Sequence, residues 1–297
     1  MRDPIGVLNI DKPRGLTSHD VVARIRKIAG LQRVGHAGTL DPLARGVLVV
    51  CLGKATRLIE YLVDTRKSYV ATVEFGIVTD TWDAEGEIIE RRKVEPLSPQ
   101  RIEEALDRFR GTIEQVPPMY SALKHDGQPL YRLARKGIEV QREARSVEIH
   151  RLEVREWSPP NLVIDIECSK GTYIRSLAHD LGETVGVGAY LSDLTRTAVG
   201  PFCLERAVSL EQLAADGGAP WQDYMLPIYE AFAHIPSVTV DTETKKRIGY
   251  GQQVSLPLAP KAEIIFAYDS DRHIVAVLES DAHGGSLWRP RKVLNTN

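Results

Sequence analysis

Cysteine is scarce in this sequence: Cys51, Cys168 and Cys203 are the only three in 297 residues, and no two form a CxxC pair. Such a scattered, odd set builds neither a disulfide framework nor a thiolate zinc site, and reduced core cysteines are expected. Long apolar runs are missing too, since nothing reaches the ~18 uninterrupted residues of a membrane-spanning helix. The start, Met1-Arg2-Asp3-Pro4, lacks the apolar core of a signal peptide, so a soluble, cytoplasmic protein with no membrane partner is expected. The histidines show no HxxxH or HExxH spacing, and no glycine-rich loop runs into Lys-Ser or Lys-Thr. Neither a metal nor ATP is expected.

Net charge is also nearly absent, at −2, so total charge points to no polyanionic partner. Its distribution says more. From Met1 to Lys67 there are 12 Lys and Arg against 6 Asp and Glu, whereas Ser68 to Pro118 carries 6 against 11. A basic first third suits an anionic partner, although a solvated surface would look the same. The length favours two domains with ample apolar content for real cores.

What is present centres on Arg33-Val-Gly-His-Ala-Gly-Thr-Leu-Asp-Pro-Leu-Ala-Arg-Gly46. Three glycines, His36, Thr39 and the Asp41-Pro42 step crowd one loop directly before Val47-Leu48-Val49-Val50, an apolar run that reads as a buried strand. Upstream, Ile5 to Ile10 reads as a strand and Asp11 to Gly15 as a turn. A helix capped by Thr17 or Ser18 follows, with Val21, Val22, Ile25 and Ile28 on one face and Gly30 as its stop. Downstream, the spacing predicts a helix over Lys54 to Val63, a strand over Tyr69 to Val78 and an acidic turn over Thr79 to Gly86. A further helix opens at Ser98-Pro99. Met119 to Gly137 mixes cations with aromatics around a Lys124-His-Asp-Gly127 turn and a short helix from Tyr131 to Lys136. That suits nucleic-acid contact or a plain surface insertion. Val147 to Trp157 and Leu162 to Cys168 alternate like antiparallel strands. A helix near Thr172 to Glu183 and a strand near Tyr190 to Val199 come next. A Gly- and Ala-rich connection from Ala214 to Pro220 leads on to short apolar runs from Ser237 onward, which suggest a small β-barrel.

In isolation Asp41 is an ordinary Asp-Pro turn residue and His36 a packed or solvated histidine. The second cluster, Cys168-Ser-Lys-Gly-Thr-Tyr-Ile-Arg175, puts an arginine near a helix start. It gains meaning if it pairs with a carboxylate, because a guanidinium favours the ionised form that a nucleophile or base needs.

Taken together the motifs resemble the bacterial tRNA pseudouridine-55 synthases, the TruB family. Lys12-Pro-Arg-Gly-Leu-Thr-Ser18 matches the first motif, Gly35 to Gly46 the catalytic loop and Cys168 to Arg175 the arginine motif. Lys67-Ser-Tyr69, Thr79-Asp-Thr-Trp-Asp83 and Leu191-Ser-Asp-Leu-Thr-Arg196 follow in the expected order. The resemblance implies an α+β pseudouridine-synthase fold, with a mixed, largely antiparallel sheet flanked by helices and a small C-terminal PUA-like β-barrel. It implies a catalytic domain over 1–232, an RNA-contacting insertion over 119–140 and an RNA-binding domain over 237–297. The implied substrate is the T-stem-loop of tRNA, with no cofactor, no obligatory protein partner and a monomeric state.

By the same resemblance Asp41 is the catalytic carboxylate and Arg175 its ion-pair partner. Tyr69 stacks on the target uracil and is a candidate for proton transfer, with Leu194 on the other side. His36 fills the place vacated when the base is flipped out. Asp83 and Tyr173 line the pocket, and Lys12 supports it. Three other readings remain open on sequence: an RNA-binding protein or tRNA folding chaperone without catalysis, a hydrolase pairing Asp41 with Asp80 or Asp83, and a related synthase acting on another RNA.

Overall fold

The structure, a computed structural model, describes residues 4–94, 96–215, 220–281 and 286–294. The expected connection over 214–220 lies largely outside them.

Strand β1 (Gly6–Lys12) leads into helix α1 (Ser18–Ala29), whose N-terminus is closed by a reciprocal capping box between Thr17 and Asp20. Gly30, at φ 65°, ends it. Short β2 (Val34–His36) and long β3 (Arg45–Leu52) flank the Asp41 loop and pair with each other. The helix expected over Lys54 to Val63 splits. A 3₁₀ turn over Gly53–Leu58 precedes α2 (Ile59–Val63), because the Gly53 carbonyl is taken by the Thr56 hydroxyl at 2.8 Å. The strand expected to run on to Val78 breaks at Gly76, φ 91°, into β4 (Lys67–Phe75) and β5 (Ile77–Thr79), the latter paired with β6 (Ile88–Arg91).

Helix α3 (Pro99–Asp107) starts at Ser98 as anticipated and is followed by β7 (Gly111–Gln115). The insertion forms a small hairpin, β8 (Lys124–His125) and β9 (Gln128–Pro129). Its turn residues Asp126 and Gly127 both have positive φ, the geometry that tight hairpins favour. Next come α4 (Leu130–Ala134), β10 (Arg145–Ser158), β11 (Asn161–Cys168), α5 (Ile174–Val185) and β12 (Ala189–Val199). Short β13 (Phe202–Cys203), β14 (Val208–Ser209), α6 (Leu210–Ala214) and α7 (Ile228–Ala231) complete the first part.

The main sheet has the order β14-β1-β3-β12-β4-β11-β10-β7, with β13 on β12 and β2 on β3. One choice in this order matters for function: β12, late in the chain, slots between β3 and β4. It runs parallel to β3 and antiparallel to β4, which sets Arg196 opposite Gly46 on one side and opposite Tyr69 on the other. The largest core joins α3 and α5 to Tyr69, Ala71, Val73, Leu191 and Leu194 on the face they share. Leu8, Ile10, Leu48 and Val50 pack against α1.

The remaining elements are β15 (Ser237–Thr239), α8 (Thr242–Gly249), β16 (Val254–Ser255), β17 (Ile264–Tyr268), β18 (Ile274–Ser280) and β19 (Leu287–Val293). They form a curled, PUA-like five-stranded sheet in the order β15-β17-β18-β19-β16. It is not a free appendage, because Phe266, Tyr268, Val277 and Leu294 share a core with Val7, Val47, Val49 and Leu58 of the first part.

Gly46 adopts φ 98°, and a Cβ there would strike the Arg196 backbone carbonyl. The substitution Gly46→Ala is therefore expected to lower stability by more than about 1 kcal/mol, read as a shift in the urea unfolding midpoint at unchanged slope.

Candidate active site

The Asp41 loop is held by its backbone rather than by its side chains. The Ser18 hydroxyl, buried at the start of α1, accepts from the Leu40 N–H at 2.8 Å and donates to the Leu40 carbonyl at 3.0 Å. The Gly15 N–H reaches the Pro42 carbonyl at 2.8 Å. The Lys12 ammonium, with no exposed surface, donates to the Ala44 carbonyl at 2.6 Å and the Pro13 carbonyl at 3.0 Å. From below, the Arg196 guanidinium donates to the carbonyls of Val47, Gly38 and Thr39 at 2.7, 3.0 and 3.3 Å. Every turn of the loop is thus tied to another motif, and Asp41 is left at its apex with 40 % of its side chain exposed.

The partner of Asp41 is Arg175. Its Nη2 lies 2.9 Å from Asp41 Oδ2 and its Nε 3.5 Å from Asp83 Oδ2, while the Arg175 side chain is only 6 % exposed. Nη2 also donates to the Tyr120 carbonyl at 2.8 Å and Nη1 to the Thr81 carbonyl at 3.5 Å. One guanidinium therefore gathers the catalytic-loop candidate, the acidic turn and the start of the insertion. Asp83 is itself oriented by the Thr81 hydroxyl at 2.6 Å and the Glu85 N–H at 3.0 Å. Burial pushes its carboxyl above the usual aspartate value, against the Thr81 hydrogen bond and Arg175.

Tyr69 and Leu194 stand on the adjacent strands β4 and β12, both 7 % exposed, with Leu40 and Leu43 of the loop in the same apolar cluster. They can wall a planar base. Burial raises the Tyr69 phenol to about 12, so it carries its proton at neutral pH. Tyr173 caps α5, and its backbone is gripped at both ends by the Gln115 amide: N–H to Oε1 at 2.7 Å and carbonyl from Nε2 at 3.0 Å. His36 lies on β2 beneath the loop, edge-on to the His19 ring at 5.5 Å between centroids. Burial, with His19 nearby, lowers it to about 4, and its Nδ1 is buried without a hydrogen-bond partner. The structure thus brings Asp41 and Asp83 onto Arg175, sets Tyr69 and Tyr173 close enough to feel the charge of Asp41, and packs Leu194 with Tyr69 and Leu40. Lys12, expected to support the pocket, is sealed against the loop, with its ammonium on the Ala44 and Pro13 carbonyls.

The sequence is similar along nearly its whole length to curated proteins. It is 45 % identical over 97 % of its length, and 96 % of the relative's, to a Dehalococcoides mccartyi protein named tRNA pseudouridine synthase B. It is 44 % identical over 98 % of its length, and 96 % of the relative's, to a protein of the same name from Pseudomonas aeruginosa. Residues 26–174 match the TruB family pseudouridylate synthase N-terminal domain, and residues 175–228 the tRNA pseudouridylate synthase B C-terminal domain. The chain belongs to the TruB family. Among solved structures it superposes on a chain of a Cbf5-Nop10-Gar1 complex with TM-score 0.76 and 29 % identity, covering 98 % of this chain and 85 % of that one. It also superposes on a chain of an H/ACA RNP bound to a substrate RNA containing 2′-deoxyuridine, with TM-score 0.74, 27 % identity and the same coverage.

Sequence reasoning passed over Arg196, the most deeply buried arginine of the site, although it stands in a motif singled out for Leu194. The signal was an arginine in a strand of alternating character. A bulge between Leu191 and Asp193 shifts the alternation, so that Leu191, Leu194 and Arg196 are all buried and simple parity misplaces the arginine. Gln115 carried no signal beyond its polar character, and Ser18 was singled out only as a cap and motif residue, not as the clamp on Leu40.

His36 generates a pH test. Its folded value near 4 lies below the ordinary histidine value of 6.5, so its share of stability is present above pH 6.5 and is lost as pH falls toward 4. His36→Phe, which takes up no proton, is expected to gain on the wild type by on the order of 1–2 kcal/mol between pH 7 and pH 5, measured by urea unfolding at both values.

Proposed function

We propose that the chain isomerises the uridine at position 55 in the T-loop of tRNA to pseudouridine, using Asp41 on a flipped-out nucleotide. The observation that carries this reading is the Asp41–Arg175 pair: a part-exposed carboxylate at 2.9 Å from a guanidinium that is itself nearly sealed, set beside the aromatic and aliphatic walls of Tyr69 and Leu194. The reaction breaks the bond between N1 of uracil and ribose C1′, turns the base, joins C5 to C1′ with loss of the C5 proton, and leaves N1 protonated, so the product is an isomer. A carboxylate beside the ribose serves as nucleophile or base for that step. The bonds broken and made lie within one nucleotide, so no outside electron acceptor takes part and no cofactor is invoked.

A uridine stacked in a loop cannot reach Asp41 unless it is extruded, at a cost of a few kcal/mol in unstacking. In this reading His36 occupies the gap left behind; a neutral, half-buried imidazole suits stacking on bases better than a hydrated cation. Tyr69 stacks on the base and holds a proton for transfer, while Asp83 and Tyr173 line the pocket. Residues 1–232 make up the catalytic domain, 119–140 close over the T-arm, and 237–297 are the PUA-like RNA-binding domain. The protein acts in the cytoplasm as a monomer without an obligatory protein partner.

The competing reading is RNA binding without chemistry. Unmodified tRNA incubated with wild type or with Asp41→Asn, then mapped by carbodiimide and primer extension, separates the two. A stop at position 55 with the wild type and a loss of at least about 10³-fold in rate for the variant, at retained tRNA binding, is expected. Identical maps would overturn the enzyme reading, and modification of tRNA lacking its T-arm would overturn the substrate assignment.

A further inference from the structure

The Trp82 indole lies flat on the His179 imidazole, 4.3 Å between centroids and 7° from parallel. On the same indole the guanidinium carbon of Arg142 sits 5.8 Å from the ring centroid. We infer that Trp82, held by His179 and Arg142, is a positioning residue that ties the exit of the 119–140 insertion to the guanidinium of Arg175. The inference rests on the pseudouridine-synthase reading above and assigns it a new part.

Three observations converge. First, Trp82 has φ 63°, the left-handed region that a bulky side chain occupies only where its surroundings impose it. Both neighbours of this residue feed Arg175: the Thr81 carbonyl on one side and the Asp83 carboxylate on the other. The Trp82 backbone is fixed as well, its N–H on the Thr79 carbonyl at 3.2 Å and its carbonyl accepting from the Leu191 N–H at 3.0 Å. Second, His179 follows Arg175 by four residues on α5, and residues so spaced share a helix face. The ring under Trp82 and the cation paired with Asp41 are thus carried by one rigid element. Third, Arg142 belongs to the segment that leads from the insertion into β10, and its side chain is 17 % exposed. Arg142 Nε and His179 Nδ1 are both buried without hydrogen-bond partners; Arg142 Nη2 also pairs with Glu139 at 3.8 Å, and the indole is the contact the two side chains share. Burial lowers the His179 value, leaving Arg142 as the cation of the stack, the arrangement favoured by the ring quadrupole.

The stack thus joins the acidic turn, α5 and the segment leaving the insertion, alongside the junction that Arg175 makes with the Thr81 and Tyr120 carbonyls. If the insertion shifts on RNA, Arg142 moves on Trp82, and the backbone carrying Asp83 and the Thr81 carbonyl moves with it. Arg175 then changes its grip on Asp41. A packing role alone would make the stack matter for folding and leave turnover untouched.

The test uses the full chain with a tRNA transcript. Trp82→Ala is expected to lower kcat by about tenfold or more with KM within about threefold, since small misplacements of a reacting group are costly. Trp82→Phe, which keeps an aromatic face on His179, should recover kcat to within about threefold of wild type. Arg142→Gln should lower kcat in the same direction, and the double variant with Trp82→Ala should be no slower than the slower single one. Adding a T-arm stem-loop to the Asp41→Asn protein should change tryptophan emission, and Trp82→Phe in that background should abolish the change. Full kcat in Trp82→Ala, a defect in KM alone, additive losses, or an emission change that survives Trp82→Phe would each overturn the proposal. Should Trp82→Ala fail to fold, Arg142→Gln and Trp82→Phe carry the same comparison. A wild type that forms no pseudouridine would sink the function reading instead.

Discussion

A guanidinium that is all but removed from water has to find acceptors for its N–H groups, and Arg175 obtains two carboxylates and two carbonyls by drawing four segments together. An unpaired charge in such a place would cost several kcal/mol, so the Asp41 loop, the Thr81–Asp83 turn and the Tyr120 carbonyl are bound to the N-terminus of α5 by necessity rather than by preference. Asp41 and Asp83 do not share the arginine equally. Asp83 is sealed, held by Thr81 and Glu85, and pairs at 3.5 Å, whereas Asp41 pairs at 2.9 Å and faces open space. The buried carboxylate balances the arginine and the open one is available for chemistry. This asymmetry also argues against a hydrolase that would use both as an acid–base pair, since Asp83 is 4 % exposed and its Oδ1 already accepts from Thr81 and Glu85.

The loop under Asp41 shows a complementary solution. Lys12 and Arg196 are buried cations, yet both aim at carbonyl oxygens of the loop, and burial lowers Lys12 to about 8. Carbonyl acceptors fix the path of the backbone without competing for Arg175. A side chain at the apex of a loop pinned at Gly38, Thr39, Leu40, Pro42 and Ala44 loses little further freedom when a substrate arrives, which is the physical content of preorganisation.

Much of this was legible in the residues. The capping box of α1, the proline-led start of α3 and the Asp126-Gly127 turn are local signals, set by backbone hydrogen bonding within a few positions, and they fall where expected. The Asp41–Arg175 pairing rested on motif resemblance, since 134 positions separate the two and nothing in their spacing brings them together. What escaped depended on topology. Arg196 reaches the loop only because β12 inserts between β3 and β4 and carries a bulge, and neither fact is written in the pattern of strand residues. Lys12 was expected by resemblance to support the pocket, and its burial follows from the plain parity of β1, which puts it on the face of Leu8 and Ile10 in unbroken register with β3.

The second sheet constrains how the proposed RNA contacts can act. Its core is continuous with that of β1 and β3, and its last strand is latched by Lys54 to the Leu294 carbonyl at 2.8 Å and by Lys292 to Glu60 at 2.9 Å and to the Arg57 carbonyl at 2.6 Å. Surface ion pairs of this kind contribute little one by one. The shared apolar core does not share that weakness, and it forbids the sheet from swinging on a linker. A phosphate contact made from β19 would therefore stand at a fixed separation from Asp41. Under the tRNA reading, recognition then measures the length and shape of a folded arm rather than its base sequence, in keeping with the way structured RNA is read. The same rigidity leaves the insertion as the part able to adjust, and that is why the contact between Arg142 and Trp82 is placed where an adjustment can be felt at Arg175.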